Sequence, residues 1–277
     1  MKNRPTTSLI IAVYNWPEAL ELCLNSVLAQ SEFPTELIIA DDGSKPLIGE
    51  LIEKYKARLS IPLKHIWQPD EGFKLAQIRN KAVAASACDY IIQVDGDLIL
   101  HPFFIKDHVA VAEQGHFVGG SRVIVSESLS AKLLSEKKIN VSPFQKGISN
   151  KFNGLYLPSL NRQLIPVVRL NGKENIRGCN MAYWRNDFIS VNGYNEDFQG
   201  WGREDTDLVL RFYTFGLNRT FFKFRGIVYH IYHQEADRSR LTQNDALLEK
   251  TKSAGYYCKN GIDKYLHSFE EMRFKKI

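Results

Sequence analysis

Two short acidic patterns about a hundred residues apart have the makings of a reaction centre. Asp95-Gly96-Asp97 follows the apolar run Tyr90-Ile91-Ile92-Gln93-Val94, and Gly200-Trp201-Gly202-Arg203-Glu204-Asp205 stands ahead of Asp207. Two carboxylates separated by a residue that cannot crowd a ligand can grip a hard divalent cation and a ribose together. Such a cation neutralises a diphosphate, a Lewis-acid role rather than water activation. In the second pattern the glycines let backbone approach a ligand, and Trp201 offers a flat apolar face on which a pyranose can stack. A helix N-terminus accounts for one capping carboxylate. Glu204, Asp205 and Asp207 exceed that need, and the excess points to a general base and an acceptor clamp, with Asp207 left to a structural role. An isolated Asp-x-Asp is also common in turns, and a Trp between glycines can be a mere loop anchor; position at strand ends raises the weight of both patterns.

Two further groups belong beside them. Asp41-Asp42-Gly43-Ser44 ends the run Leu37-Ile38-Ile39-Ala40. Ser44 there can simply cap a helix, whereas Asp42 can accept hydrogen bonds from a uracil N–H or a ribose hydroxyl. His230 and His233 are three apart, and one of them can complete a metal shell begun by Asp97, where imidazole among oxygen ligands suits Mn²⁺. A satisfied histidine on a strand is the ordinary alternative. Arg238 and Arg240 are solvated charges by default, within reach of a diphosphate if their loop closes.

The elements that must carry these residues alternate. Apolar strands at 8–14, 37–40, 62–67 and 90–94 are each followed or preceded by segments of helical period, opened at Pro17, running from Leu47 to Tyr55, and from Leu75 to Ala85. Continuous apolar strands alternating with helices predict an α/β fold with a mostly parallel, Rossmann-like central sheet covered on both faces. Ligands bind outside the carboxyl ends of such strands, where both acidic strand ends lie. Beyond Asp97 the pattern predicts a helix over about 102–114, a strand over 117–125, no assignable element over 126–172, a strand over 176–183, a helix over 185–191, a helix after Glu204 and a β-rich run over 220–232. A helical, basic extension is expected over 241–277. The expected division is a nucleotide-binding half over 1–125 and an acceptor and catalytic half over 126–240 of the same domain.

Composition narrows the field. A chain of 277 residues with 44% hydrophobic content can bury a sizeable core. The four cysteines, Cys23, Cys88, Cys179 and Cys258, form no Cys-x-x-Cys pair and read as buried thiols of a reducing compartment, so a cytoplasmic location is expected. No window approaches the ~20 apolar residues of a spanning helix. The net charge of +5, with Arg273, Lys275 and Lys276 at the tail, suggests a solvated terminus before an anionic membrane patch, and no nucleic-acid partner.

With these residues in view, the chain resembles the inverting family 2 glycosyltransferases of GT-A fold, and its second half resembles the galactosyltransferase-type region of chondroitin-polymerase-like members. The likeness spans roughly residues 8–235. It is carried by Ala12-Val13-Tyr14-Asn15, Asp41-Asp42-Gly43-Ser44, Asp70-Glu71-Gly72-Phe73, Arg79-Asn80, Asp95-Gly96-Asp97, Gly178-Cys179-Asn180-Met181 and Trp201-Gly202-Arg203-Glu204-Asp205. The resemblance implies that Ala12, Tyr14, Asp42 and Arg79 hold the nucleotide, Asp95 the ribose, and Asp97 with His233, preferred over His230, a Mn²⁺ or Mg²⁺ ion. It implies Asp205 as base, and Trp201, Gly202 and Glu204 as acceptor residues. Arg203 departs from the glycine common in the related galactosyltransferases. A UDP-sugar donor, an oligosaccharide or glycolipid acceptor in surface polysaccharide synthesis, and peripheral contact with the inner membrane surface are the partners so implied. A sugar nucleotidyltransferase needs a basic glycine-rich loop after its first strand, where Tyr14-Asn15-Trp16-Pro17 stands; a non-catalytic sugar-binding module leaves the paired acidic strand ends unexplained.

Overall fold

The computed structural model describes residues 4–160, 177–220, 222–234 and 237–266. The strands β1 (Thr7–Val13), β2 (Glu36–Asp41), β3 (Leu63–Trp67) and β4 (Tyr90–Asp95) alternate with helices α1 (Pro17–Leu28), α2 (Pro46–Lys56) and α3 (Leu75–Ala85). Every residue of β1 and β2 is buried, because helices cover both faces of the sheet. Alternation then divides neighbours: Leu9 and Ile11 join one apolar cluster with Leu24, Val27 and Ile52, while Ile10 joins the other with Ile78, Ala82 and Phe188. Full burial of each such aliphatic side chain contributes about 1.5–3 kcal/mol.

After β5 (Leu98–Leu100) and α4 (Phe104–Val111), the chain departs from the expected single strand over 117–125. Two strands form instead, β6 (His116–Gly119) and β7 (Val123–Val125), and they belong to different sheets. Gly119-Gly120-Ser121 breaks the run: Gly120 N donates to Asn180 O at 2.7 Å, and a Cβ on Gly120 would meet the Asn180 side chain at 2.3 Å. The stretch 126–172 is not featureless. Ser126 caps α5 (Glu127–Glu136) by accepting from Leu129 N, and β8 (Ile148–Ser149) and a 3-10 turn (Lys151–Gly154) follow. Residues 161–172 of it lie outside the described residues, as do Ile176 and the basic tail 267–277.

The expected strand over 176–183 is β9 (Asn180–Trp184), followed by α6 (Arg185–Ser190) and α7 (Glu204–Phe215). The β-rich run resolves into β10 (Asn218–Thr220) and β11 (Val228–His230), and α8 (Leu241–Ala254) follows. The main sheet has the order β10-β6-β9-β4-β1-β2-β3. β9 runs antiparallel to both of its neighbours, which the pairing of Val94 with Asn180 and of Val118 with Ala182 records. A smaller sheet has the order β5-β11-β7-β8. In the parallel part Ala12 pairs with both Ala40 and Asp95, and Val13 with Asp41, so the acidic ends of β2 and β4 flank the end of β1. All four cysteines are buried and unpaired, and among the described residues no helix is long and apolar enough to cross a membrane.

Candidate active site

On the β2 side, Asp42 is oriented by two donors: Gln68 Nε2 at 2.6 Å and the Lys74 backbone N–H at 2.8 Å. Burial nevertheless pushes its pKa up to about 6, with Asp70 and Asp41 adding to the rise. Ser44 is not the cap of α2, whose N-cap residue is Lys45; its Oγ accepts from Asn15 N at 2.8 Å and ties the ends of β1 and β2 together. Gly43 has φ +92°, and a Cβ there would lie 2.5 Å from Asp70 Cα, so the 70–73 loop packs directly on this turn. Tyr14, half exposed, donates from its hydroxyl to Asp70 Oδ2 at 2.9 Å. Ala12 contributes backbone, accepting from Gly96 N at 2.8 Å, which fixes the turn between Asp95 and Asp97.

The centre of the site is Arg79, on α3 and 1% exposed. Its Nη2 donates to Asp95 Oδ1 at 2.8 Å and its Nη1 to Asp205 Oδ1 at 2.9 Å. One guanidinium thus joins the end of β4 to the start of α7. Asp205 also accepts from Tyr194 Oη at 3.1 Å, and its Oδ2 accepts from Gly178 N at 2.8 Å. Gly178 permits this approach, since a Cβ there would sit 2.0 Å from Asp205 Oδ1. Behind it, Gln93 donates from Nε2 to Gly178 O at 2.9 Å and to Tyr194 Oη at 2.8 Å.

Glu204 stands in a different environment. It is buried and its Oε2 has no hydrogen-bond partner. Burial first, and the Asp205 charge second, push its pKa up to about 8. In the unfolded chain a glutamate ionises near 4.3. Between those two values the folded protein holds a proton that the unfolded chain has released, so stability falls as pH rises through this window. Glu204→Gln is therefore expected to raise the melting temperature relative to the parent more at pH 8 than at pH 5. An equal change at both pH values would show that the carboxyl is not protonated by its site.

The third cluster lies across β5 and β11. His230 Nε2 and His233 Nε2 stand 3.3 and 3.2 Å from Asp97 Oδ2, and Asp97 Oδ1 is buried without a partner. One ligand atom from each of the three residues falls within 4.8 Å of the others. Both imidazoles converge on Asp97: His230 ends β11, and the N–H of the next residue, Ile231, bonds Asp97 O. The hydrogen bond to Asp97 raises His233 to about 9, whereas burial lowers His230. An orphaned carboxylate oxygen beside two imidazoles is a donor set that fits a divalent cation such as Mn²⁺.

The aromatic loop Gly200–Gly202 precedes Glu204 and is held by residues that follow it in the chain. Trp201 is 38% exposed, and the Arg238 guanidinium lies 4.9 Å from its ring centroid, so in this structure Arg238 faces the loop. Arg240 packs beside Gly200. From α8, the buried Asn244 donates through Nδ2 to Gln199 O at 3.1 Å and Gly202 O at 2.9 Å. Arg203 adopts φ +80° and pairs with Asp245 of α8. A left-handed conformation favours glycine at that position; here the ion pair to α8 accompanies the larger residue. Asp207 is structural, as its position in the sequence suggests: it is fully buried, pairs with Arg211 at 2.7 Å and accepts from Thr251 Oγ1 at 2.6 Å.

Sequence reasoning left out Gln68, Tyr194, Asn244 and Arg122. Gln93 carried a visible signal, as a polar residue inside the apolar run Tyr90–Val94 of a buried strand. The others lie far in sequence from what they touch and announce nothing locally.

The protein-family model of Glycosyl transferase family 2 matches residues 8–189, and that of the N-terminal domain of galactosyltransferase matches residues 168–234. Among curated proteins, a chondroitin synthase of Escherichia coli is 25% identical over 224 residues, covering 76% of this chain and 32% of its own length. A hyaluronan synthase and a second chondroitin synthase are each matched over 24% of their length, so this chain spans only a quarter to a third of these relatives. Among solved structures, Staphylococcus aureus TarS 1-349 in complex with UDP superposes with a TM-score of 0.63 at 16% identity, covering 98% of this chain and 72% of that one. GalNAc-T7 with UDP, GalNAc and Mn²⁺ gives 0.65 at 15% identity, covering 98% and 55%. These likenesses establish the GT-A fold of the mostly parallel sheet, and the match over two thirds of the sequence makes this chain a member of the family 2 glycosyltransferases.

Proposed function

We propose that this glycosyltransferase moves a hexose or N-acetylhexosamine from a UDP-sugar to a sugar hydroxyl with inversion, as a step in surface polysaccharide synthesis. The observation that carries the reading is the single Arg79 guanidinium joining Asp95 to Asp205, which brings a donor-side carboxylate and a base candidate to one point. Asp42 and Tyr14 bound the nucleoside pocket, and Asp95 meets the ribose. Asp97, His230 and His233 are the residues that would hold a divalent cation. That cation, when bound, supplies positive charge to the diphosphate leaving group.

The chain's own residues supply the remainder. Trp201 and the Gly202 backbone seat the acceptor ring. Asp205 takes the proton of the attacking hydroxyl as its oxygen bonds to the anomeric carbon, and the bond to the diphosphate oxygen breaks on the opposite side. Glu204, protonated at neutral pH, can donate a hydrogen bond to an acceptor oxygen. Residues 1–125 would then hold the donor and 126–240 the acceptor, and α8 would brace the acceptor loop. The similar proteins include chondroitin synthases and a validoxylamine A glucosyltransferase, and the former favour a polysaccharide acceptor.

The test is UDP release from a panel of UDP-sugars with Mn²⁺, Mg²⁺ or EDTA, read as slow donor hydrolysis so that no acceptor need be chosen. Metal-dependent release from one donor, abolished in Asp97→Ala, is the expected result. No release from any donor, with no shift of melting temperature by UDP, would remove the reading.

A further inference from the structure

Arg122 stands at the entrance to β7, outside every motif discussed so far. Its backbone is firmly placed: Asn153 Nδ2 donates to Arg122 O at 3.1 Å, and Asn180 Nδ2 to Ser121 O at 3.0 Å. Strand pairing then orients the strand it leads into. Ile124 pairs with His230 in parallel β7 and β11, so these two share a face of the small sheet. Arg122 immediately precedes Val123, and its charge acts on His230, so it lies on the side of the sheet that His230 occupies. The opposite face, carrying Val123, Val125 and Tyr229, packs into an apolar cluster.

Burial and charge agree with this placement. The Nε of Arg122 is buried and has no hydrogen-bond partner. The carboxylate of the cluster, Asp97, is already engaged by His230 and His233. The Arg122 charge reaches both imidazoles: alongside burial for His230, and against the Asp97 bond for His233, it opposes their protonation. A cation aimed at a cluster suited to a divalent cation repels that ion unless an anion enters between them. With Asp97 at −1, a divalent ion at +2 and Arg122 at +1, the residual charge is about +2, the size of the charge on the diphosphate of a nucleotide sugar, at interaction distances where such pairs are strong.

We propose that Arg122 grips the outer phosphate of the donor diphosphate, the phosphate that bears the sugar. The inference rests on the donor reading above and extends it to a residue that the acidic motifs do not contain. When the bond between the anomeric carbon and the phosphate oxygen breaks, its electron pair stays on that oxygen. The new negative charge therefore appears where Arg122 stands, and a fork of N–H donors meets it there. UMP lacks this phosphate, so Arg122 sets the preference for diphosphate over monophosphate.

Calorimetric binding of UDP and of UMP, each with Mn²⁺ present, to the parent protein, Arg122→Gln and Arg122→Lys tests this. UDP affinity is expected to fall ~10- to 100-fold in Arg122→Gln, UMP affinity by less than about threefold, and Arg122→Lys should lie between. Mn²⁺ alone should bind Arg122→Gln more tightly than the parent, because a repelling charge has gone; a merely structural arginine would weaken both ligands together. Parallel loss of UDP and UMP, or an unchanged UDP affinity, overturns the assignment and leaves the donor reading intact. If the parent itself binds neither nucleotide, the donor reading fails and the role of Arg122 falls with it.

Discussion

Asp205→Asn is expected to slow donor turnover by ~10²–10⁴-fold, the usual contribution of a positioned base, while UDP affinity changes by less than about threefold. The carboxylate accepts three hydrogen bonds, from Arg79, Tyr194 and Gly178. Those bonds hold the two carboxylate oxygens in a fixed place, and neither Asp42 nor Tyr14, proposed to bound the nucleoside pocket, supplies any of them. An amide keeps the shape but can present only one acceptor atom, so either the Arg79 and Tyr194 side or the Gly178 N–H loses its partner. Single-turnover hydrolysis beside a UDP-induced melting shift separates the two effects. Loss of UDP affinity in proportion to the rate would remove Asp205 as base and make it a donor-site strut.

Arg79→Met should have the largest effect on stability. Removing one partner of a buried ion pair costs about 3–5 kcal/mol, because the other charge stays buried without compensation. Here Asp95 loses its ion-pair partner and Asp205 keeps only the Tyr194 hydroxyl and the Gly178 N–H, with Asp97 nearby as a further negative charge. Burial already pushes Asp95 up to about 6 although Arg79 pulls against it. Without Arg79 its folded value rises further above the ~4 of an unfolded aspartate. The variant then loses stability as pH climbs from about 4 to beyond 6, and protonation at acid pH relieves it. Thermal melts at pH 5 and pH 8 should show a deficit against the parent that is wider at pH 8. A deficit equal at both would mean that packing of the side-chain stem, and not charge, is what Arg79 contributes.

The parallel half of the fold is legible because its physics is local. A strand buried on both faces must be apolar throughout, and β1, β2 and β4 are read correctly from that alone. The acidic residues at their ends are legible for the same reason, since a run of Ile and Val makes the following Asp conspicuous. The antiparallel entry of β9 between β4 and β6 is not legible: nothing in Asn180–Trp184 distinguishes a parallel from an antiparallel neighbour. The split of 117–125 was signalled by Gly119-Gly120-Ser121, a turn sequence outweighed by the apolar residues around it. The Arg79–Asp205 pair joins positions 126 residues apart, and only the finished fold makes it. The three-residue spacing of His230 and His233 cannot say that both would face Asp97, because that depends on the path of the chain beyond β11.

The clasp of α8 on the Gln199–Gly202 backbone gives this protein a chronology. Ribosomes deliver the chain from the amino end, so every acidic side chain of the centre emerges before Asn244 does. Until that amide reaches the carbonyls of Gln199 and Gly202, the turn bearing Trp201 lacks two of its fixed hydrogen bonds. Synthesis thus supplies this brace only after the acidic side chains it stands beside, and a nascent chain lacks it while helix α8 is still in the exit tunnel.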